Sequence, residues 1–255
     1  DTLVAETHQA SLAARKRALQ RTVAAGKSWL PEGWGDTNWA LAALYLNENV
    51  AQANAKLLRR TNLYLAQYAK AEQPDFKPKA DPNRFPWSYF GVVDYVRCLC
   101  LFRAGSSHYP GRLSAETEAA MKQALWTWAK GRSRCADAGR ENLLVLHGTE
   151  NHDLTLRPSY YLLASVLKED PAYSQRRYDD GKTPREHYEA YNAFFRDWPG
   201  HRVKYGLWVE IGSDTYQKYS WPVLFNLHDL SPDPMVRKRF GMLLDLCFIE
   251  EAQIS

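Results

Sequence analysis

An amide and an imidazole stand side by side in the stretch GTENHDL, residues 148–154. A side-chain amide can donate hydrogen bonds to a group on which negative charge develops during a reaction. A neutral imidazole can remove a proton near physiological pH. Asn151 and His152 are therefore candidates for a catalytic pair. The ordinary structural alternative is an asparagine that turns the chain beside a histidine that caps a carbonyl.

A second polar cluster lies downstream, in RVKYGLWVEIGSDTYQKYSWPVLFNL, residues 202–227. Glu210, Ser213 and Tyr216 are spaced three residues apart, so within a helix they would share one face. The alternative is a helix that starts with Ser213 or Asp214 as its N-cap and carries tyrosines that only pack. The two clusters together supply an amide, an imidazole, a phenol and a carboxylate.

These four groups match the β-elimination of a polysaccharide that contains uronic acid. Such a reaction removes the proton beside the sugar carboxylate, stabilises the enolate-like charge and protonates the leaving oxygen. An amide can stabilise the charge, and an imidazole and a phenol can handle the protons. The chemistry needs no metal and no cofactor. The pattern therefore predicts a polysaccharide lyase.

Two short motifs resemble known lyases. ENHDL is similar to the Asn-His motif of alginate lyases that have an α/α toroid. GLWVEIGSDTYQKY, residues 206–219, followed by DPMVRKRFGMLLDL, residues 233–246, resembles heparinase II/III-like lyases and related toroid proteins. The likeness extends over most of the chain as a helical pattern, but only these two stretches carry chemistry.

The resemblance implies a role for each candidate catalytic residue. Asn151 would neutralise the uronate carboxylate, and His152 would be the base or assist it. Tyr216 would be the proton donor, with Tyr205 and Tyr219 as its rivals for that role.

The chain departs from the alginate-lyase pattern at Ser213, which stands where an arginine would follow Glu210 by one turn. Arg202 and Arg157 are the alternative sources of the missing cation. Substrate-binding candidates on this segment are Arg202, Tyr205, Glu210 and Tyr219.

Residues elsewhere are candidates for stacking on sugar rings. Asn38 and Trp39 lie at a predicted helix start in GDTNWALAA, and Trp87 follows a proline-rich break in NRFPWSYF. Packing at a helix entry is the alternative for each. Four other histidines have no partner at a useful spacing and are expected to be surface or capping residues: His108, His187, His201 and His228.

Two functions from other classes remain open. A glycoside hydrolase on the same scaffold would need two carboxylates, for which Asp153 with Glu210 or Asp214 are available. A non-catalytic helical module could instead bind a carbohydrate through its aromatic side chains alone.

The elements that must position these groups are predicted to be helices. The apolar residues of 57–68 and 236–248 recur at helical spacing. Thr183-Pro184-Arg185-Glu186 combines a capping box with proline at the first helical position. Further start signals are Asp36, Ser114, Ser231-Pro232 and Asp233-Pro234.

The stretch around Asn151 reads as two apolar helices joined by a polar loop. The first helix would end before 148–153, and the second would follow Pro158. Helices of three to five turns separated by breaks, without a fixed repeat, favour an all-α fold. We expect an α/α toroid of antiparallel hairpins over a single domain 1–255, either complete or truncated at its C-terminal end.

Composition sets the outer bounds. The chain has 255 residues, 45% of them hydrophobic and 24% charged, which is enough for a sizeable core. No apolar run approaches the ~20 residues that span a bilayer. The formal charge of +4 tolerates an anionic polysaccharide or oligosaccharide as a partner, and neither a nucleic acid nor a membrane is expected.

The cysteines and the first residue bear on location. The four cysteines form no CxxC pair and have no histidine at zinc spacing, so no metal cage is expected, and Cys98 and Cys100 should pack as small hydrophobes. The chain starts at Asp1 without Met, which fits an exported protein whose leader has been removed, although a trimmed chain would look the same. A secreted or periplasmic location is the resulting expectation.

Overall fold

The protein is helical wherever the computed structural model describes it. The described residues are 2–26, 34–71, 91–207, 213 and 215–254, and among them there are nine α-helices and no β-strand. The helices are α1 (Thr2–Ala24), α2 (Trp34–Leu46), α3 (Val50–Ala71), α4 (Gly91–Phe102), α5 (Ala115–Ala129), α6 (Glu150–Leu167), α7 (Pro184–Tyr205), α8 (Gln217–Leu230) and α9 (Pro234–Ile254). The all-α prediction is confirmed. No helix in these ranges is both long and apolar enough to cross a membrane.

The chain divides into two compact units, and the division falls within α4 and α5. Unit 1 comprises Asp1–Phe76 and Leu101–Met121, and unit 2 comprises Lys77–Cys100 and Lys122–Ser255. The stretches that carry Asn151, His152 and the tyrosine candidates all belong to unit 2.

Unit 1 is built on α1, α2 and α3, which pack in sequence order. Trp39 of α2 is 1% exposed, and its indole N–H donates to the carbonyl of Val23. Asp36 forms ion pairs with Lys56 and Arg59 of α3. Asp36 lies in the first turn of α2, because the helix begins two residues earlier than the sequence signal indicated.

Unit 2 is dominated by two helical hairpins. The first hairpin is α6 packed on α7, and the second is α8 packed on α9. The two hairpins contact each other through α6 with α8 and through α7 with α9. Aromatic side chains fill the contact between α7 and α9, where the rings of Trp198 and Phe240 stack with centroids 5.8 Å apart. Asp233 joins these elements, since it accepts from Arg196 and Asn192 and also caps α9 through the backbone N–H of Met235.

The predicted start signals at α5, α7 and α9 are confirmed. Ser114 accepts from the backbone N–H of Thr117 at the start of α5. Thr183 and Glu186 form the reciprocal capping box of α7. Cys98 and Cys100 are buried, and all four cysteines are free thiols.

The prediction that Asn151 and His152 lie in a loop between two helices is wrong. α6 begins at Glu150 and continues through Pro158, so Asn151 and His152 lie in its first turn. Pro158 cannot donate to the carbonyl four residues earlier, yet the helix continues through it. Arg157, the residue before it, is held by Asp153 and by the carbonyl of Asn142 in the preceding loop. The apolar residues 143–147 form no α-helix and follow the short 3₁₀ turn Arg140–Asn142.

Candidate functional site

The first turn of α6 carries a buried polar cluster. Asn151 is 2% exposed, and His152 is half-buried. The hydroxyl of Thr149 donates to Oδ1 of Asn151 over 2.9 Å, which orients the amide with its nitrogen on the opposite side. The backbone N–H groups of a helix N-terminus attract negative charge, and the first turn of α6 itself supplies it through the carboxylates of Glu150 and Asp153.

Arg157 is committed to holding the structure together. Its Nε lies 2.9 Å from Asp153 Oδ1, and its guanidinium donates to the carbonyls of Asn142 and Val145. Burial raises the pKa of Asp153, while Arg157 opposes that rise. Because its charge is paired with Asp153 and both of its Nη atoms donate to backbone carbonyls, Arg157 is less suited than Arg202 to bind a substrate.

Arg202 of α7 is less completely engaged. Its Nη1 lies 3.5 Å from Glu150 Oε1, and its guanidinium sits over the ring of Trp198. Nε of Arg202 is buried and has no hydrogen-bond partner among the described residues. Burial lowers the pKa of Arg202, and the Glu150 carboxylate opposes that fall. Arg202 is therefore a desolvated cation with a spare donor at the start of α6.

The helix directions bring the tyrosine candidates to the same end of unit 2. The ion pair between Glu150 and Arg202 places the start of α6 beside the end of α7, where Tyr205 is 58% exposed. Tyr161, in the second half of α6, lies beside Ser231 at the end of α8, since their hydroxyl groups are 2.7 Å apart. α9 runs along α7 in the same direction, with Asp233 beside Arg196 and Phe240 beside Trp198. Gln217 at the start of α8 donates to Glu251 near the end of α9, so α8 starts toward the end of unit 2 that holds Asn151.

Tyr216 lies immediately before α8 and is 41% exposed. Tyr219 lies in the first turn of that helix and is half-buried. The predicted helical face of Glu210, Ser213 and Tyr216 is not formed at its described positions, because α8 begins only at Gln217. Ser213 instead accepts from the backbone N–H of Tyr216, as a residue before a helix start does.

The remaining candidates are placed differently or lie outside the described residues. Asn38 and Trp39 belong to α2 of unit 1, where the buried ring of Trp39 packs in the core. Glu210, Asp214 and Trp87 fall outside the part of the chain that the structure describes. Glu210 and Asp214 are the residues that could supply, together with Asp153, the two carboxylates of a glycoside hydrolase.

A cavity of about 630 Å³ lies elsewhere in unit 2, along α7 and α9. Its apolar wall includes Val203, Met242 and Leu246, and Lys238 and Arg239 add positive charge. None of the catalytic candidates lines it. The cavity therefore gives no independent support to the cluster at the start of α6.

Sequence reasoning missed a second polar cluster, which surrounds His187. This histidine was expected to be a surface or capping residue, but it is fully buried. Its Nδ1 is 2.9 Å from Ser133 Oγ, and its Nε2 is 3.1 Å from Asp180 Oδ1. Cys135 joins the cluster through its backbone N–H, which donates to Asp180. The only local signal was the capping box of α7, which fixes His187 in the first turn of that helix.

Comparisons of the chain with protein-family models, with curated proteins and with solved structures find no match.

Proposed function

We propose that this protein is a lyase that cleaves an anionic, uronic-acid-containing polysaccharide by β-elimination. One observation supports the proposal: the start of α6 contacts the end of α7 through Glu150 and Arg202, and the start of α8 lies toward the same end of unit 2. That end carries an amide, an imidazole, a buried arginine and exposed phenols. Those are the groups that the reaction requires.

Each group has a role in the proposed mechanism. Asn151 and Arg202 bind the uronate carboxylate through their side-chain N–H donors. Their donors stabilise the negative charge that moves onto the carboxylate when the neighbouring proton is removed. His152 removes that proton or assists its removal. The electron pair of the broken C–H bond forms the new double bond, and the C–O bond to the leaving sugar breaks.

A tyrosine hydroxyl protonates the leaving oxygen. Tyr216 is the first candidate, and its exposure supports access to a polymer. Tyr205, at the end of the helix that carries Arg202, is more exposed than Tyr216, at 58% against 41%, and Tyr219 lies in the first turn of α8. The three phenols are distinguished by experiment below.

The scaffold in this proposal is an α/α toroid, complete or truncated. The support is the packing of unit 2, in which successive hairpins align α6 with α8 and α7 with α9. This two-layer arrangement of hairpins is the repeating element of such a fold. A polymeric substrate also makes a secreted or periplasmic location part of the proposal.

The test is a panel of uronide polymers assayed by the ultraviolet absorbance of unsaturated uronide ends. A lyase produces that absorbance, a hydrolase produces reducing ends without it, and a binding module produces neither. On an accepted substrate, Tyr216→Phe should lower turnover ~10²-fold or more, while Tyr205→Phe and Tyr219→Phe should be milder. A large loss only in one of the other two would move the donor role to that residue. No absorbance on any polymer would overturn the proposal.

A further inference from the structure

Cys135, Asp180 and His187 converge on one point of unit 2. Their ligand atoms, a thiol sulfur, a carboxylate oxygen and an imidazole nitrogen, all lie within 4.8 Å of one another. They come from three segments: the 3₁₀ turn Cys135–Ala138, the turn before α7, and the first turn of α7. We propose that these three side chains bind one divalent transition-metal ion of the zinc type, with Ser133 positioning His187.

The spacing is close to that of a tetrahedral site. Zinc lies about 2.0–2.3 Å from nitrogen, oxygen and sulfur ligands, so neighbouring ligands are about 3.3–3.8 Å apart. The distance between His187 Nε2 and Asp180 Oδ1 is 3.1 Å. The remaining separations, which are at most 4.8 Å, need to shorten by at most about 1.5 Å when the ion binds.

The environment of His187 orients the ring for a ligand at Nε2. The Ser133 hydroxyl lies 2.9 Å from Nδ1, and the ring of Tyr178 stacks on the imidazole with centroids 3.8 Å apart. Histidines that bind metals usually donate their other N–H to a fixed acceptor, which sets the tautomer and the ring orientation. In the metal-bound form Nδ1–H donates to Ser133, and Nε2 faces the ion.

The charge around the cluster favours a cation. The carboxylates of Asp180 and Glu186 both act electrostatically on Cys135, and Lys182 opposes them in part. The negative charge of Asp137 also acts on His187. The nearby cation is Lys182, which is exposed and pairs with Glu186 over 3.1 Å. A divalent ion would neutralise the thiolate and the Asp180 carboxylate.

Three protein ligands leave a fourth position for water. Cys135 is half-buried and the Asp180 side chain is 17% exposed, so solvent reaches this side of the cluster while His187 anchors it from within. A thiolate, an imidazole and a carboxylate together suit zinc better than the harder ions Mg²⁺ and Ca²⁺. The ion would brace the start of α7 against the turn at Cys135.

The experiment uses Co²⁺ and Zn²⁺ as probes on the whole chain after treatment with a chelator. Co²⁺ should bind at one equivalent and give a thiolate-to-cobalt charge-transfer absorption, which Zn²⁺ should then abolish by displacement. Cys135→Ser should eliminate the absorption, and Asp180→Asn should weaken Co²⁺ binding at least ~10-fold. Ser133→Ala should weaken it ~10- to 100-fold, as expected for a residue that acts through a ligand.

Cys247→Ala is the matched control, because Cys247 is another free thiol of unit 2 outside the cluster. It should bind Co²⁺ like the unmodified chain. An absorption that persists in Cys135→Ser, no absorption in the unmodified chain, or equal affinity in Asp180→Asn would overturn the proposal. The last variant keeps a carbonyl oxygen for the Cys135 N–H, so it tests the site even if Cys135→Ser fails to fold.

Discussion

The two polar clusters of unit 2 balance their charges in different ways. At the start of α6, the buried carboxylates of Glu150 and Asp153 face the buried guanidinium groups of Arg202 and Arg157. Around His187, the carboxylate of Asp180 faces a thiol and an imidazole, and its cationic neighbour Lys182 is exposed. The first cluster is internally neutral, whereas the second has anionic groups in excess.

This difference indicates what each cluster can accept. A buried charge is costly unless a partner compensates it, so the pairs at α6 must stay paired for the fold to persist. The spare capacity there is in donors, the Asn151 amide and Nε of Arg202, which suit an anionic ligand. Around His187 the ligand atoms are the Asp180 oxygens, the Cys135 sulfur and the Nε2 of His187, which suit a cation. The predictions below test whether the two clusters are as separate as this comparison implies.

The largest expected effect is on catalysis. On an accepted uronide polymer, His152→Ala should lower turnover ~10²- to 10⁴-fold, because a positioned base or acid contributes about that much. Co²⁺ binding should be unchanged, and Cys135→Ser should show the opposite pattern. Initial rates and cobalt absorption measure the two properties. His108→Ala, at an exposed position, is the control. Full activity in both His152→Ala and Asn151→Ala would remove the α6 cluster from the mechanism.

The next effect is on stability, at the internally neutral cluster. Arg157→Met should lower the free energy of unfolding by about 3–5 kcal/mol near neutral pH, because it leaves Asp153 as a buried charge without its partner. Urea denaturation measures the loss. Arg185→Met is the control, since Arg185 is exposed and lies 3.9 Å from the exposed Glu169, a type of pair worth about 1 kcal/mol or less.

The pH dependence of Arg157→Met follows from the pKa of Asp153. Burial raises this pKa above its ordinary value of 3.8, and removal of Arg157 raises it further. A carboxyl group with a raised folded pKa favours the folded state more as the pH falls through that pKa. The deficit of Arg157→Met relative to the unmodified chain should therefore shrink on acidification. A deficit that grows as the pH falls would contradict a buried, uncompensated Asp153.

The smallest effect concerns the helix start that positions His187. Thr183→Ala removes the hydroxyl that accepts from the Glu186 N–H and should cost about 1 kcal/mol. Thermal unfolding in a chelator measures it. Thr127→Ala in α5, whose hydroxyl bonds to Gln123 of the same helix, should change stability by less than about 0.5 kcal/mol. Co²⁺ affinity should fall less in Thr183→Ala than in Asp180→Asn. A larger fall would make the capping box, and not the carboxylate, the main determinant of the cluster.

The helices were the most predictable feature of the protein, because their signals are local. Ser114 and Thr183 bond to backbone groups three residues away, so they mark helix starts without any tertiary information. The apolar spacing in 57–68 and 236–248 likewise marks α3 and α9. Pro158 misled the prediction, because proline usually begins or ends a helix and here it lies within one.

The sequence by itself determined the helical class, the capped helix starts and the adjacency of Asn151 and His152, since each depends on residues within one or two helical turns. The tertiary structure alone decided the partners of buried charges, which lie far apart in the chain. Glu150 meets Arg202 across 52 residues, and Ser133 meets His187 across 54. Helix packing sets these distances, and no local spacing encodes them. His187 was for that reason expected to be a surface or capping residue, although burial and its contacts with Ser133 and Asp180 make it the centre of the second cluster.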